Sequence, residues 1–472
     1  MKNNRSRPIR RLALIPLLIG AALPLPALAA PPAAELREAA LGDELAWSIL
    51  EGLTTEIGPR PAGSPREAAA RAWAVARLNA LGFQNVRIEP FEIPGWERGE
   101  ERGEIIAPAP QKLALTALGN SGATPATGLE AEVVMFASLA ALEAAPPASV
   151  AGRIVYIGHA MRATQDGSSY GYIGGVRRAG PNIAAKKGAA AILIRSIGTD
   201  SHRMPHTGST VFDTGVAPIP AAALSNPDAD QIERLARRGG QGSNTPLRIR
   251  LVLTPRHTGP QQSGNVIAEV PGTDPDAGII AIGGHLDSWD LGTGAIDNAA
   301  GVAITMAAAK RVMDAGRPRR TIRVILFGAE EIGGLGGQAY TRAHRAEPHA
   351  LVAESDFGAD RVWRVQTKLP DAAAPLGDRL AALLAPLGVI RGRGPAGAGA
   401  DLGPLSRAGV STVDLNQDGS RYFDLHHTPD DTLDKIDRAQ LRQNVAAWTA
   451  MLAETAAAAE PLVNQNSLTG TR

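Results

Sequence analysis

From residue 265 to residue 456 the sequence alternates short apolar runs with segments of helical period, and this restricts the fold more than any other feature. Residues 265–270, 279–282, 321–327, 350–354 and 410–415 read as strands. Between and after them, residues 299–312, 336–344, 379–387 and 439–456 read as helices. The first helix places Val302, Met306, Ala309 and Val312 on one stripe. Strands that are apolar throughout, such as Ile279-Ile280-Ala281-Ile282, are buried on both faces, so helices must cover both sides of the sheet. The expected class is α/β, a mixed and mostly parallel sheet sandwiched by helices.

Open α/β sheets carry their chemistry at the carboxyl ends of their strands. Gly283 and Gly284 are expected to break the strand at 279–282, so His285 and Asp287 emerge at its end and Asp297 follows after a glycine-broken loop. The strand at 321–327 runs into Gly328-Ala329-Glu330-Glu331, and the next runs into Glu354-Ser355-Asp356. After the strand at 410–415 comes Tyr422-Phe423-Asp424-Leu425-His426-His427-Thr428. Each group alone fits an ordinary turn or helix opening. Together they form a metal-site composition, because neutral imidazole nitrogen and anionic carboxylate oxygen both suit zinc. Paired carboxylates such as Glu330 and Glu331 repel unless a cation or proton neutralises them. Adjacent histidines point to different sides, so one of His426 and His427 is expected to be structural. The glycine run at 333–337 lacks the ending of a phosphate loop and reads as close packing beneath the site. No G-x-S-x-G elbow is present, so a serine hydrolase lacks its nucleophile.

The 472 residues have room for about three domains. Lys2, Arg5, Arg7, Arg10 and Arg11 precede an apolar, proline-broken stretch that ends in Ala27-Leu28-Ala29, which reads as a cleaved export signal over residues 1–29. Without it the chain carries 43 basic against 47 acidic residues, no footprint for nucleic acid. No later segment is apolar enough for a membrane span. The absence of cysteine excludes disulfides, thiol catalysis and cysteine-ligated zinc.

Upstream, residues 43–56 read as a helix, Ser64-Pro65-Arg66-Glu67 as a capping box opening another, and residues 86–91 as a strand. Residues 92–125 are rich in Pro, Gly and charge and mark a boundary. Strands at 132–136, 153–158, 190–195, 219–224 and 247–253 then form a small α/β or β-rich module. Its polar loop at 201–215 holds His202 and His206, which read as solvated rim residues.

Four ordered motifs, GGHLDSWDLGTGAIDNAAG, ILFGAEEIGGLGG, ESDFG and HHTPDDT, resemble the di-zinc aminopeptidase and glutamate carboxypeptidase family, a clan MH group, most closely its carboxypeptidase Q-like branch. PRPAGSPREAAARAWAVARLNALGF is similar to that family's opening helix. The resemblance implies a zinc-exopeptidase (phosphorylase/hydrolase-like) fold carrying a small β-rich protease-associated insert. The organisation expected is an N-terminal part of the peptidase domain at 30–125, the insert at 126–255, the catalytic domain at 256–460 and a tail at 461–472. It also implies two zinc ions per chain. His285 and Asp356 would hold one and Glu331 and His427 the other, with Asp297 bridging. His427 is preferred over His426 because the family's ligand is followed by Ser or Thr. Glu330 would be the general base and Asp287 would hydrogen-bond His285, with a cis peptide at Asp297–Asn298. No role is assigned to Asp401. The function implied is an exported, periplasmic or secreted exopeptidase acting on dipeptides or short peptides, with no nucleic-acid partner and a homodimer left open. A zinc amidohydrolase on N-acyl amino acids and a non-catalytic binding ectodomain are the competing readings.

Overall fold

The computed structural model describes residue 1 and residues 32–239 and 245–463, so the expected export signal (beyond Met1) and residues 464–472 of the tail lie outside the described residues. Two eight-stranded sheets organise the chain. In the first, the spatial order is Gln84–Glu97, Arg256–Val270, Thr321–Phe327, Ile279–His285, His349–Glu354, Thr412–Gln417, Val362–Lys368 and Ile390–Arg391. Its four central strands, from Thr321–Phe327 to Thr412–Gln417, run parallel, and the margins are largely antiparallel.

Helices cover both faces, as the unbroken apolar strands require. Ile280 and Ile282 join the core under helix Ala300–Ala315, whereas Ala281 turns to the opposite core with Tyr340, Leu402 and Leu405. Helix Arg438–Ala457 closes the first face; it packs against Ala300–Ala315 and also against Ala33–Ala40, and it buries Trp448 completely. Asp437 caps it, accepting from Ala439 N–H at 2.8 Å and Gln440 N–H at 3.0 Å. Ser64 caps helix Pro65–Ala80 as expected, its hydroxyl accepting from Glu67 N–H at 3.1 Å, but the Glu67 carboxylate accepts from Gly63 N–H at 2.7 Å and not from Ser64, so the reciprocal half of the box does not form.

One strand corrects the sequence reading. Gly283 and Gly284 do not end it, and pairing continues through both to His285, which sits opposite Phe327. A Cβ at Gly283 would lie 2.1 Å from the Ile325 carbonyl, and one at Gly284 2.9 Å from that of Ser355. These glycines allow neighbouring backbone to close in, a packing role that composition alone does not separate from strand termination. Val362–Lys368 was not legible as a strand because its burial is interrupted and it carries Arg364 and Lys368.

The second sheet has the order Gln111–Leu113, Glu101–Ala107, Arg248–Leu253, Leu129–Phe136, Ile154–Ile157, Ala191–Arg195, Ala221–Leu224 and Leu115–Ala117. Again four strands, from Leu129–Phe136 to Ala221–Leu224, are parallel. Helices Gly175–Lys186 and Asn226–Gly239 accompany it, so this part is α/β and not simply β-rich. The strands at 101–117 belong to it although they precede residue 126; they are short and lie in a stretch whose Pro, Gly and charge read as loop. Both ends of the unit leave the first sheet at the margin, where Trp96 pairs with His257.

Candidate metal centre

The carboxyl ends of the parallel strands in the first sheet converge. His285 ends its strand, Glu330 and Glu331 follow Phe327, and Asp356 follows Glu354. Asp297 is presented by the short turn Ala295–Ala299, where it and Asn298 have non-helical backbone angles and are joined by a cis peptide bond. Asn298 anchors that turn by donating to the Ser355 carbonyl at 2.8 Å and accepting from Gly301 N–H at 3.0 Å.

Asp297 faces two donor sets at once. Its Oδ1 lies 2.9 Å from His285 Nε2, which is itself 3.3 Å from Asp356 Oδ1. Its Oδ2 lies 3.2 Å from His427 Nε2, which is 2.9 Å from Glu331 Oε2. His426 Nε2 is also 3.5 Å from Asp297 Oδ2, but it has no second carboxylate. Its ring stacks on that of His427 with centroids 3.5 Å apart, and Tyr170, Tyr422 and Phe423 surround it. Ala329 (φ +56°) and His427 (φ +62°) both hold left-handed backbone, which L residues with a Cβ rarely adopt. Such outliers gather where the surroundings force a functional geometry.

The backbone fixes both histidine rings. His285 Nδ1–H donates to the Asp287 carbonyl at 3.0 Å; His427 Nδ1 lies 3.1 Å from the Thr207 carbonyl, with Arg177 Nη1 3.3 Å from both that nitrogen and that carbonyl. The Asp287 carboxylate is 3.6 Å from the His285 ring, too far for the expected hydrogen bond. It accepts instead from Glu330 N–H at 3.1 Å and Glu331 N–H at 3.3 Å, so it aligns the turn bearing the two glutamates.

The electrostatics describe a cluster that needs positive charge. Burial lifts Glu330 well above the ordinary carboxylate range, and neighbouring Asp356 and Glu331 add to this against the pull of His285. Burial opposes charge on Asp297, yet the flanking His285 and His427 rings hold it well below its usual value. Burial would lower His427 too, but Glu331 and Asp297 drive it up to about 10. Burial and the neighbouring His427 keep His426 well below the usual imidazole value. Buried Glu331 Oε1 and His426 Nδ1 have no hydrogen-bond partner. Two nitrogen-and-oxygen donor sets sharing one carboxylate, with an orphaned carboxylate oxygen, fit a pair of divalent ions.

The sequence profile described as Peptidase family M28 matches residues 265–452. Carboxypeptidase Q of Bos taurus is 34% identical over 399 residues, covering 84% of this chain and 82% of its own length. The protein belongs to peptidase family M28. It is therefore a metallopeptidase. The human carboxypeptidase Q is 33% identical over the same span. A peptidase M28 precursor from Shewanella amazonensis superposes with a TM-score of 0.87 at 45% identity, covering 90% of this chain and 96% of its own. The aminopeptidase from Aneurinibacillus sp. strain AM-1 shares the fold, with a TM-score of 0.63 at 22% identity and coverages of 91% and 98%.

Other candidate residues of this family member fall as follows. His202 is exposed, as expected. His206 is not a solvated rim residue: it is 1% exposed, and its ring nitrogens contact the His426 carbonyl and Asp200 Oδ1, each at 2.6 Å. Its loop packs between the segment at 117–120 and the His426–His427 turn, which a polar local sequence does not announce. Asp401 is buried beneath the site, accepting from Gly337 N–H at 2.9 Å, and Glu354 accepts from the N–H groups of Asp401 and Leu402. The glycine run does serve packing, since a Cβ at Gly337 would lie 2.4 Å from the Asp401 carbonyl.

Two buried residues were missed. The Arg60 guanidinium donates to the carbonyls of Leu286 (2.7 Å), Thr293 (2.6 Å) and Gly294 (3.1 Å), tying together the loop between His285 and Asp297. Burial lowers it to about 10. Asp431 accepts from Ile296 N–H at 2.7 Å and Asp297 N–H at 3.2 Å, and burial beside Asp297 lifts it to about 7. Arg60 lies in the PRPAG stretch and Asp431 in the HHTPDDT motif, but neither residue has a role in the reading of those motifs. A cavity of about 360 Å³ opens over the centre, with Glu330 and Asp356 on one wall and Arg177, Arg178 and Ser209 of the second sheet's part on another.

Proposed function

We propose that this metallopeptidase is an exported exopeptidase that holds two zinc ions and cleaves dipeptides or short peptides. The observation that carries the reading is Asp297, whose two oxygens face two complete donor sets. His285 and Asp356 would hold one ion, Glu331 and His427 the other, and Asp297 both. Ions held by these residues would supply the acidity that lowers a water's pKa and the polarisation of a scissile carbonyl. Glu330, the carboxyl at this strand end that is free of a ligand role, would take the proton of the attacking water and pass it to the leaving nitrogen.

The unit built on the second sheet is the protease-associated insert in this reading. It walls one side of the cavity and limits the length of the substrate. The carboxylates around the centre favour a free amino terminus, and Arg177 and Arg178 on the facing wall favour a free carboxyl terminus. Export rests on the basic, apolar leader at 1–29; among the described residues no helix is long and apolar enough to cross a membrane.

A dipeptide library, offered free, N-acetylated and C-amidated to protein of known zinc content, tests the proposal. The expected result is about two zinc per chain and hydrolysis of free dipeptides that N-acetylation lowers by ~10³-fold, the equivalent of ~4 kcal/mol. Efficient cleavage of N-acyl amino acids would make the enzyme an amidohydrolase, and release of C-terminal residues from N-acetylated peptides would make it a true carboxypeptidase.

A further inference from the structure

The loop that follows strand Ala191–Arg195 reaches across to the turn carrying His426 and His427. Thr199 N–H donates to the Phe423 carbonyl at 3.0 Å, and Thr199 Oγ1–H donates to Asp424 Oδ1 at 2.7 Å. Thr207 N–H donates to the His427 carbonyl at 3.1 Å, while His427 Nδ1 lies 3.1 Å from the Thr207 carbonyl. The backbone of His427 is thus gripped at its carbonyl and its ring at Nδ1, from the other sheet's side of the molecule.

Between these contacts stands His206. Its backbone N–H donates to Ser196 Oγ at 2.9 Å, and its ring meets an acceptor at each nitrogen, the His426 carbonyl at Nδ1 and Asp200 Oδ1 at Nε2. The His426 carbonyl can only accept, so the ring donates to it from Nδ1, while Nε2 stands within hydrogen-bond distance of the Asp200 carboxyl. Asp200 is in turn held by Asn226 Nδ2, at 3.4 Å. None of these groups lies at a strand end of the first sheet.

We infer that this loop is the outer support of the second metal's histidine and that His206 is its positioning residue. The inference rests on the two-zinc reading above. A histidine that binds a metal through Nε2 needs Nδ1–H satisfied by an acceptor, which fixes tautomer and ring angle. Here that acceptor is the Thr207 carbonyl, which also receives Arg177 Nη1–H at 3.3 Å, and Thr207 directly follows His206, whose backbone and ring are tied to Ser196, Asp200 and the His426 carbonyl. His427 also holds a left-handed backbone that relaxes unless its surroundings enforce it. The second sheet therefore does more than wall the cavity: it sets how firmly one of the two ions is held.

The test is metal release from the whole zinc-loaded protein into a graded chelator series, read as zinc retained per chain, with the cobalt(II)-substituted spectrum as a second readout. His206→Leu is expected to stay folded by circular dichroism, to keep one ion as the wild type does and to release the other at roughly ten-fold lower chelator, within the 10–100-fold range for loss of such outer partners. His206→Gln, which retains one N–H donor, should recover part of the loss, and Thr199→Val should shift release in the same direction by a smaller factor. The cobalt spectrum of His206→Leu should change for one site only. If His206→Leu does not fold, Asp200→Asn, which replaces one acceptor oxygen of the carboxylate behind the ring by an amide NH2, carries the same expectation. Two ions released as in the wild type by folded His206→Leu or Asp200→Asn would overturn this inference alone. A wild-type chain that takes up no divalent ion would overturn the zinc reading with it.

Discussion

Both sheets have eight strands of which four consecutive ones run parallel, and both lend residues to the cavity over the centre, yet they bring different things to it. The first delivers ionisable side chains: His285, Glu330, Glu331 and Asp356 all stand at or just beyond a strand's carboxyl end. The second, through the loop after Ala191–Arg195, delivers mainly backbone carbonyls and hydrogen-bond donors that hold the first sheet's residues in place. The difference teaches that one strand-end geometry can host chemistry or the support of chemistry, and that the side chains carried there decide which.

The largest expected effect separates the two contributions. Glu330→Gln should lower turnover by at least ~10²-fold while keeping both ions, as the loss of a general base does. Glu331→Gln, one residue on, should instead weaken one ion, measured as zinc per chain after dialysis. Near-wild-type turnover in Glu330→Gln would remove the first sheet's claim to the chemistry.

A second effect concerns the other end of the first sheet. His349 begins the strand His349–Glu354; burial, with Arg323 nearby, lowers it to about 4 from 6.5. The folded state resists the proton that the unfolded chain accepts, so this contribution is complete above about pH 6.5 and lost as pH falls toward 4. The loss is on the order of 3 kcal/mol. Urea unfolding at pH 7 and pH 4.5 should show a smaller drop in His349→Gln than in the wild type, with metal content unchanged at pH 7. An equal drop would mean that this ring does not set the acid response.

The smallest effect lies in the second sheet. Tyr156 buries its ring in that sheet's core and contacts Glu233 Oε1 at 2.9 Å. Tyr156→Phe should cost about 1 kcal/mol of stability, the net worth of one hydrogen bond, and leave kcat/KM and zinc content as they were. A change in metal retention would show that the support spreads through the whole sheet and is not confined to the loop at its edge.

The unequal roles explain what could be read from sequence. His285, Asp297, Glu330, Glu331, Asp356 and the histidine pair were legible because chemistry there demands particular side chains at strand ends. The choice between His426 and His427 rested on resemblance, and the structure adds that His427 meets two carboxylates where His426 meets one. Thr207 left no trace, because any residue offers a carbonyl. Arg60 and Asp431 act on backbone groups far along the chain, so nothing in their local spacing marks them. Asp287 lay in a readable motif, yet its carboxylate turned from the ring to two amides. The strands at 101–117 were hidden by turn-forming composition, and that concealed where the second unit begins.

The helix Arg438–Ala457 has a kinetic consequence. It packs on Ala33–Ala40, about four hundred positions earlier, as well as on Ala300–Ala315, and it supplies the buried Trp448. Without it, the apolar face of helix Ala300–Ala315 lacks one of its covers and helix Ala33–Ala40 loses the larger of the helical surfaces it docks on. Contacts of such long sequence separation form slowly, and exposed apolar surface in the interval invites association between unfinished chains. A chain truncated before residue 438 should therefore be protease-sensitive however much of the metal centre it still contains.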